Sequence, residues 1–171
     1  RLILKKIAES VTKPLSFNRL SNILKSAGAV LGKQTVINYV GYMMDSYMLF
    51  TLQNYAAKLV EKETSPKYYF MDTGLLGLML MDCSSAQLEN LVAIELIRRY
   101  GRENVFYFEK NVEIDFYVPE EKLAIQVSLQ VLDQIDTRER EIGAFVKLKN
   151  FIGDATCLLI TNSEEEELDY E

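Results

Sequence analysis

The side chains that could do chemistry in this 171-residue sequence are carboxylates, amides, hydroxyls and two thiols, because it contains no histidine. That absence excludes Ser-His-Asp and Cys-His catalysis, histidine-ligated zinc and imidazole proton transfer within the chain. Cys83 and Cys157 form no CxxC pair and are too few for a secreted disulfide framework. We interpret them as small buried apolar residues of a protein in a reducing cytoplasm.

Acidic and amide side chains alternate with apolar ones along two predicted strands of the second half. Across residues 112–118 the alternation places Glu113, Asp115 and Tyr117 on one face and the four apolar side chains on the other. The next strand places Gln126 and Ser128 opposite its apolar residues, and a predicted helix upstream carries Glu89. From the pattern alone, a solvated strand face and an exposed helical acid explain these residues as well as a chemical site does.

The first half is predicted to be helical and to close with a short β element. Ser16 can cap a helix with a 3.6-residue apolar period, Gly28 permits a turn, and a second helix begins near Gln34. Segments 48–52 and 68–71 can pair as a hairpin. Two short helices followed by such a hairpin resemble a winged helix, and we assign residues 1–80 to this module.

The second half is predicted to follow a helix-strand-strand-strand-helix-strand order. The helix ends near Gly101, a second helix begins near Asp136, and the last strand covers 157–160. This order predicts an α/β (α+β) sandwich over residues 81–163. We interpret the acid-rich segment 164–171 as an acidic tail. The longest apolar run, 75–81, is too short to cross a bilayer, so we expect no membrane partner.

Charge is divided unevenly between the halves. Residues 1–70 carry ten Lys and Arg against four Asp and Glu, whereas residues 71–171 carry nine against twenty-one. A basic module could meet nucleic acid, and an acidic one could hold a cation or merely stay solvated. The candidates for DNA contact are the outward-facing residues of the second helix: Lys33, Gln34, Thr35, Asn38 and Tyr42. No arginine is present there to grip guanine, and contact with protein alone is an open alternative.

The order of polar residues in the second half resembles the PD-(D/E)xK, or restriction-endonuclease-like, nuclease core. The resemblance implies a site in which Glu89, Asp115 and Gln126 would be the catalytic and Mg²⁺-binding residues, since hard Mg²⁺ takes oxygen ligands. The sequence departs from that pattern, with Gln126 at the second acid and Ser128 at the catalytic lysine. Lys122 is about 13 Å along the strand from Gln126, and Arg98 is a weaker substitute cation. Cleavage is therefore not expected.

Several motifs resemble the uncharacterised C-terminal domain that follows the ATPase domain in many bacterial and archaeal AAA-type ATPases. The most specific is the Pro-Lys-Tyr-Tyr-Phe-Met-Asp-Thr-Gly-Leu run at 66–75, supported by residues 15–17, 35–39, 89–96 and 113–116. In this motif we interpret the Asp-Thr-Gly triplet at 72–74 as a hinge between the halves, in which Asp72 accepts hydrogen bonds from backbone amides of the turn and Gly74 adopts a conformation barred to other residues.

The resemblance implies a parent protein whose ATP-binding P-loop lies upstream, since no GxxxxGK[ST] run occurs here. We expect a non-catalytic recognition or regulatory region that acts with its own ATPase domain and contacts DNA. Two alternatives remain open: a Mg²⁺-dependent nuclease, and a protein-interaction or self-association module using the tyrosine- and methionine-rich segment 39–55.

Overall fold

The computed structural model describes residues 1–58, 64–82, 84–129 and 135–162, apart from the side chains of 135–138. The helices in these ranges are α1 (Leu2–Ala8), α2 (Phe17–Ser26), α3 (Lys33–Asp45), α4 (Thr73–Met79), α5 (Ser84–Tyr100) and α6 (Ile135–Ile152). The strands are β1 (Leu49–Asn54), β2 (Lys67–Phe70), β3 (Phe106–Glu109), β4 (Glu113–Val118), β5 (Leu123–Val127) and β6 (Thr156–Ile160). A single 3₁₀ turn, Arg102–Asn104, precedes β3.

Local sequence signals set the ends of the first helices. Ser16 Oγ accepts a hydrogen bond from Arg19 N at 3.2 Å and caps α2, as the sequence predicts. Gly28 has φ +82° after α2, a value that favours glycine. The predicted hairpin is confirmed, because β1 and β2 pair antiparallel with Leu49 opposite Phe70. Val36 and Val40 of α3 are fully buried.

One mixed sheet contains all six strands, in the order β2-β1-β3-β4-β5-β6. The pairs β1–β3 and β5–β6 are parallel, and the other three are antiparallel. The mixed α and β content agrees with the α+β class. Because β1 pairs with β3, the sheet runs across the module boundary predicted near residue 80. The predicted acidic tail, 164–171, lies outside the described residues.

The alternation predicted for residues 112–118 is only partly correct. Phe116 and Val118 belong to the main core with helices α1–α5, whereas Ile114 and Tyr117 pack in a second core with Phe145 and Leu148 of α6. The β3–β4 register shifts between Phe106 and Phe108, and such a shift changes which side chains share a face. Tyr117 is therefore buried and does not share the exposed face assigned to the acids.

Strand β2 is an edge strand whose outer side is closed by other parts of the chain. Asn90 of α5 accepts from Phe70 N at 2.7 Å and donates to Phe70 O at 2.9 Å, so its amide replaces a neighbouring strand. Leu15 N donates to Pro66 O at 2.9 Å. These contacts satisfy buried backbone groups and fix the strand that carries Lys67.

The segment after β2 differs from the predicted hinge in one respect. Asp72 Oδ1 accepts from Gly74 N at 2.6 Å and from Leu75 N at 3.2 Å, which confirms the expected turn contacts and caps α4. Gly74 is an ordinary residue of α4, so the predicted special backbone conformation is wrong. A Cβ at position 74 would lie 3.0 Å from Asp72 Oδ1, and this close contact favours glycine because it has no side chain.

Two further expectations concern exposure. None of the described helices combines the length and apolar character that crossing a membrane requires. Cys157 is exposed at the start of β6 and not buried as predicted, while Cys83 lies outside the described residues.

Candidate functional site

The centre of the candidate site is Lys67, the first residue of β2, whose side chain is fully buried. Its Nζ lies 3.2 Å from Glu113 Oε1, 3.6 Å from Asp115 Oδ1 and 3.8 Å from Glu89 Oε1. These are ion-pair distances, longer than those of charge-assisted hydrogen bonds. The ring centroid of Tyr107 lies 5.3 Å from the same nitrogen. One ammonium therefore faces three carboxylates and an aromatic ring.

The surroundings of Lys67 keep it protonated. Burial alone would lower its pKa, because desolvation disfavours the charged form. The carboxylates of Glu89, Asp115 and Glu113 outweigh that effect and raise the pKa of Lys67 above its ordinary value. Lys67 thus supplies a permanent positive charge at neutral pH.

Glu89 approaches the cluster from α5 and is almost completely buried. Tyr69 of β2 donates its hydroxyl to Glu89 Oε1 at 2.8 Å. Burial and the nearby charge of Asp115 raise the pKa of Glu89 to about 8, against the opposing effects of Lys67 and the Tyr69 hydroxyl. Glu89 is consequently a group that titrates near neutral pH.

Asp115 and Gln126 hold adjacent strands together through side chain-to-backbone contacts. Asp115 Oδ2 accepts from Val127 N at 2.9 Å, and Gln126 Oε1 accepts from Asp115 N at 2.7 Å. Burial raises the pKa of Asp115 despite the opposing effects of Lys67 and the Val127 amide. One oxygen of Asp115 and the amide oxygen of Gln126 therefore already accept hydrogen bonds from backbone amides of the sheet.

Glu141, which no pattern in the sequence singled out, completes the polar cluster from α6. Gln126 Nε2 donates to Glu141 Oε2 at 2.8 Å and to Glu113 O at 3.3 Å. Arg140 Nη2 donates to the other oxygen of Glu141 at 2.6 Å. Every polar atom of the Gln126 amide thus has a partner, and the buried Glu141 is neutralised by an exposed arginine.

An open cleft of about 490 Å³ gives access to these residues. Glu89, Glu113, Asp115, Gln126 and Glu141 line it, so the three predicted residues border the same cleft. Basic side chains also line the cleft, and these are Lys13, Arg140 and Lys147. A larger open groove, about 680 Å³ between α1 and α2, lies away from the carboxylates and includes Lys6 and Arg19.

The residues present do not fit a bound Mg²⁺ ion. A metal held by Glu89 and Asp115 would use the carboxylate oxygens that face Lys67, and the nearby ammonium would repel it. The Gln126 oxygen, the third expected ligand, accepts a backbone hydrogen bond instead. In the described part of the chain, no three acidic or cysteine side chains are placed to hold a metal.

Other predicted site residues lie elsewhere. Arg98 is on the exposed surface of α5, where it pairs with Glu95 at 2.7 Å. The five residues proposed for DNA contact are all exposed on α3, and Gln34 Nε2 donates to Asn38 Oδ1 at 3.0 Å. They share one helix and are separate from the carboxylate cleft, whose lining includes none of them.

Comparisons with known proteins identify relatives without a described activity. No solved structure matches the chain. The chain is 33% identical over 157 residues to the uncharacterized protein MJ1544 of Methanocaldococcus jannaschii, covering 88% of this chain and 35% of that protein. It thus spans about a third of the relative's length. The model of a domain of unknown function, DUF8612, matches residues 1–86, just over half of the sequence. The chain therefore belongs to the DUF8612 family.

Proposed function

We propose that this chain is a non-catalytic recognition and regulatory region of a larger ATPase, with a nuclease-like site whose cation is Lys67. The position of Lys67 Nζ among Glu89, Glu113 and Asp115 carries the proposal. Phosphodiester cleavage on this plan needs a divalent cation to offset the charge that builds on the phosphate. An ammonium held by the same carboxylates stabilises the fold without providing that Lewis acid.

The hydrogen bonds of Gln126 also support a structural role for the cluster. Its amide joins β4, β5 and α6 through Asp115 N, Glu113 O and Glu141, so it acts as a structural link. Buried polar groups that are fully satisfied rigidify a core. We infer that the cluster fixes the relative placement of the β2 edge and the α6 side of the sheet.

The ATPase context is the part of the proposal that depends on resemblance. The signature at 66–75 resembles that of domains following AAA-type ATPase domains, and most of MJ1544 lies outside the matched region. We expect ATP to bind only to that further part of a parent protein. The test is fluorescent ATP-analogue binding, with the longer gene product expected to bind and the 171-residue chain expected not to bind.

Plasmid cleavage tests the non-catalytic proposal. Purified chain with Mg²⁺ or Mn²⁺ is expected to leave supercoiled DNA intact, and neither metal is expected to raise its melting temperature. Cleavage that is lost in Asp115→Asn would establish the alternative, a Mg²⁺-dependent nuclease. Cleavage that persists in Asp115→Asn would identify a contaminating nuclease and leave the expected result in place.

DNA contact by α3 is a separate part of the proposal. Its test is fluorescence anisotropy of a labelled duplex at several salt concentrations, because phosphate contacts make affinity fall steeply with salt. Binding that weakens in Lys33→Ala and Tyr42→Ala would support contact through α3. Absence of binding at low salt would remove DNA from the proposal and leave a partner protein as the target.

A further inference from the structure

The two edges of the six-stranded sheet differ in what lies beside them. At one edge, the outer side of β2 is closed by the Asn90 amide and by the backbone of Leu15. At the other edge, β6 is the last strand, and no strand of the described ranges pairs with its outer side. An open strand edge presents backbone N–H and C=O groups to which another strand can add. The sheet can therefore be extended at β6.

The hydrogen bonds between β6 and β5 show which backbone groups of β6 point away from the sheet. Thr156 N donates to Lys122 O at 2.8 Å, and Ile160 O accepts a backbone hydrogen bond at 3.0 Å at the other end of the strand. Because successive residues of a strand point in opposite directions, every second residue from Thr156 to Ile160 bonds to the parallel neighbour β5. The residues between them, Cys157 and Leu159, direct their N–H and C=O groups outward.

β6 lacks the features that keep edge strands from pairing. Its sequence, Thr-Cys-Leu-Leu-Ile, has no charge and no proline, and its five residues pair with β5 in an unbroken register. Charged side chains, proline and bulges are the usual means of blocking an edge. Leu158 is 45% exposed, and Cys157 is exposed as well. The strand thus offers an uncharged and largely apolar edge about 17 Å long.

A second copy of β6 matches this edge in antiparallel orientation. With the two-fold axis at Leu158, all five residues are paired, and Cys157 of one copy lies opposite Leu159 of the other. These are the residues whose backbone groups point outward, so each such pair can exchange two hydrogen bonds. Leu158 lies opposite its own copy in a non-hydrogen-bonded pair, where side chains are closest. Asp154, the only charged residue of 153–162, lies opposite Asn162, so no like charges face each other.

We propose that this chain self-associates through β6, which pairs antiparallel with β6 of a second copy about a two-fold axis at Leu158. The copy supplies both things that the edge lacks, an apolar neighbour for the exposed Leu158 and partners for the outward backbone groups. The closed β2 edge sets the form of the assembly. Because Asn90 occupies that edge, copies cannot join β6 to β2 in an open chain, and the pairing ends at a dimer.

The contact is one five-residue strand per copy. An interface of this length is at the small end of the known range, so the dimer should be in concentration-dependent equilibrium with the monomer. Sedimentation velocity of the purified chain under reducing conditions tests the proposal, from about 1 to 300 µM, the range in which a small interface dissociates. The mass is expected to rise from monomer to dimer.

A proline variant tests whether the strand edge forms the contact. Cys157→Pro removes the outward N–H and leaves the hydrogen bonds to β5 in place. It removes one hydrogen bond from each copy and should weaken association at least about ten-fold. Cys157→Ala keeps the N–H and is the matched control. Circular dichroism and thermal melting confirm that each variant is folded.

A cross-link tests the register. In a background with Cys83→Ser and Cys157→Ser, Leu158→Cys places the new thiol opposite its own copy, at a Cα separation of about 4.5 Å that a disulfide can span. Mild oxidation is expected to give a covalent dimer. Leu78→Cys in the same background is the control, because Leu78 is 79% exposed on α4, which packs beside β2 at the other edge of the sheet. This control should stay monomeric.

Three outcomes would overturn the proposal. The first is a chain that is monomeric at all concentrations, and the second is a dimer that Cys157→Pro does not weaken relative to Cys157→Ala. The third is equal cross-linking of the Leu158→Cys and Leu78→Cys variants, which would show that the thiols meet only by random collision.

Discussion

Lys67 Nζ and Glu113 Oε1 lie 3.2 Å apart although β1 and β3 separate their two strands in the sheet. The contact joins the basic and acidic halves of the chain. Glu113 is half exposed, but Lys67 is fully buried, so the lysine depends on the carboxylates around it for its charge. Substitution of the lysine or of a carboxylate should therefore change the free energy of unfolding measurably.

Lys67→Met should destabilise the chain by up to about 3–5 kcal/mol at pH 7, because it leaves the largely buried Asp115 without its cation. The measurement is urea unfolding followed by circular dichroism. Lys147→Met is the control, since Lys147 lines the same cleft but is exposed, and it should change stability by less than about 0.5 kcal/mol. Equal stability of the two variants would show that the carboxylates do not require Lys67.

Stability should depend on pH through Glu89. Its pKa is raised from 4.5 to about 8 by burial and by Asp115, so between these values the folded state binds more protons than the unfolded state. The contribution of Glu89 to the free energy of unfolding is therefore largest near or below pH 4.5. It falls as the pH rises toward 8, by at most about 1.4 kcal/mol per pH unit.

Glu89→Gln should remove that slope while keeping an oxygen that accepts from the Tyr69 hydroxyl. The measurement is the free energy of unfolding at intervals between pH 5 and 8. Glu121→Gln, at an exposed site, should leave the slope unchanged. A slope that persists in Glu89→Gln would assign the titration to another group.

Gln126→Glu should lower the melting temperature at neutral pH. The new carboxylate would replace the amide nitrogen that donates to Glu141 Oε2, so two acids would face each other at hydrogen-bond distance, a loss of about 1–3 kcal/mol. Mg²⁺ should restore part of the loss in this variant and have no effect on the wild type. A rise in the melting temperature of the wild type on adding Mg²⁺ would contradict the lysine-filled site.

Asn90→Ala should destabilise the chain by about 2–4 kcal/mol, because the amide and carbonyl of Phe70 would be buried without partners. Urea unfolding measures the effect. Asn22→Ala, at an exposed position of α2, is the control. A small loss at Asn90 would mean that water or another chain segment reaches the β2 edge.

Local patterns were sufficient for most of the elements. The Ser16 cap, the β1–β2 hairpin and the acids of β4 follow from hydrogen-bond chemistry and side-chain period, which act over a few residues. The pattern failed within β4, where Tyr117 is buried, because a register shift against β3 is set by a neighbouring strand and not by β4 itself. The Gly74 prediction failed for a different, local reason, since Gly74 is part of α4 and the Asp72 side chain lies close to the position that a Cβ would take.

The sequence by itself determined which chemistry is available: acids and amides without histidine, and Glu89, Asp115 and Gln126 in an order that predicts one shared site. Only the tertiary structure decided what charge balances them. Lys67 is far from Asp115 in sequence, and its signal was slight, a lysine in a strand whose other residues are aromatic. Packing brings β2, α5 and β4 together, and because a buried charge needs partners, the Lys67 ammonium lies among the buried Glu89 and Asp115 and the half-exposed Glu113.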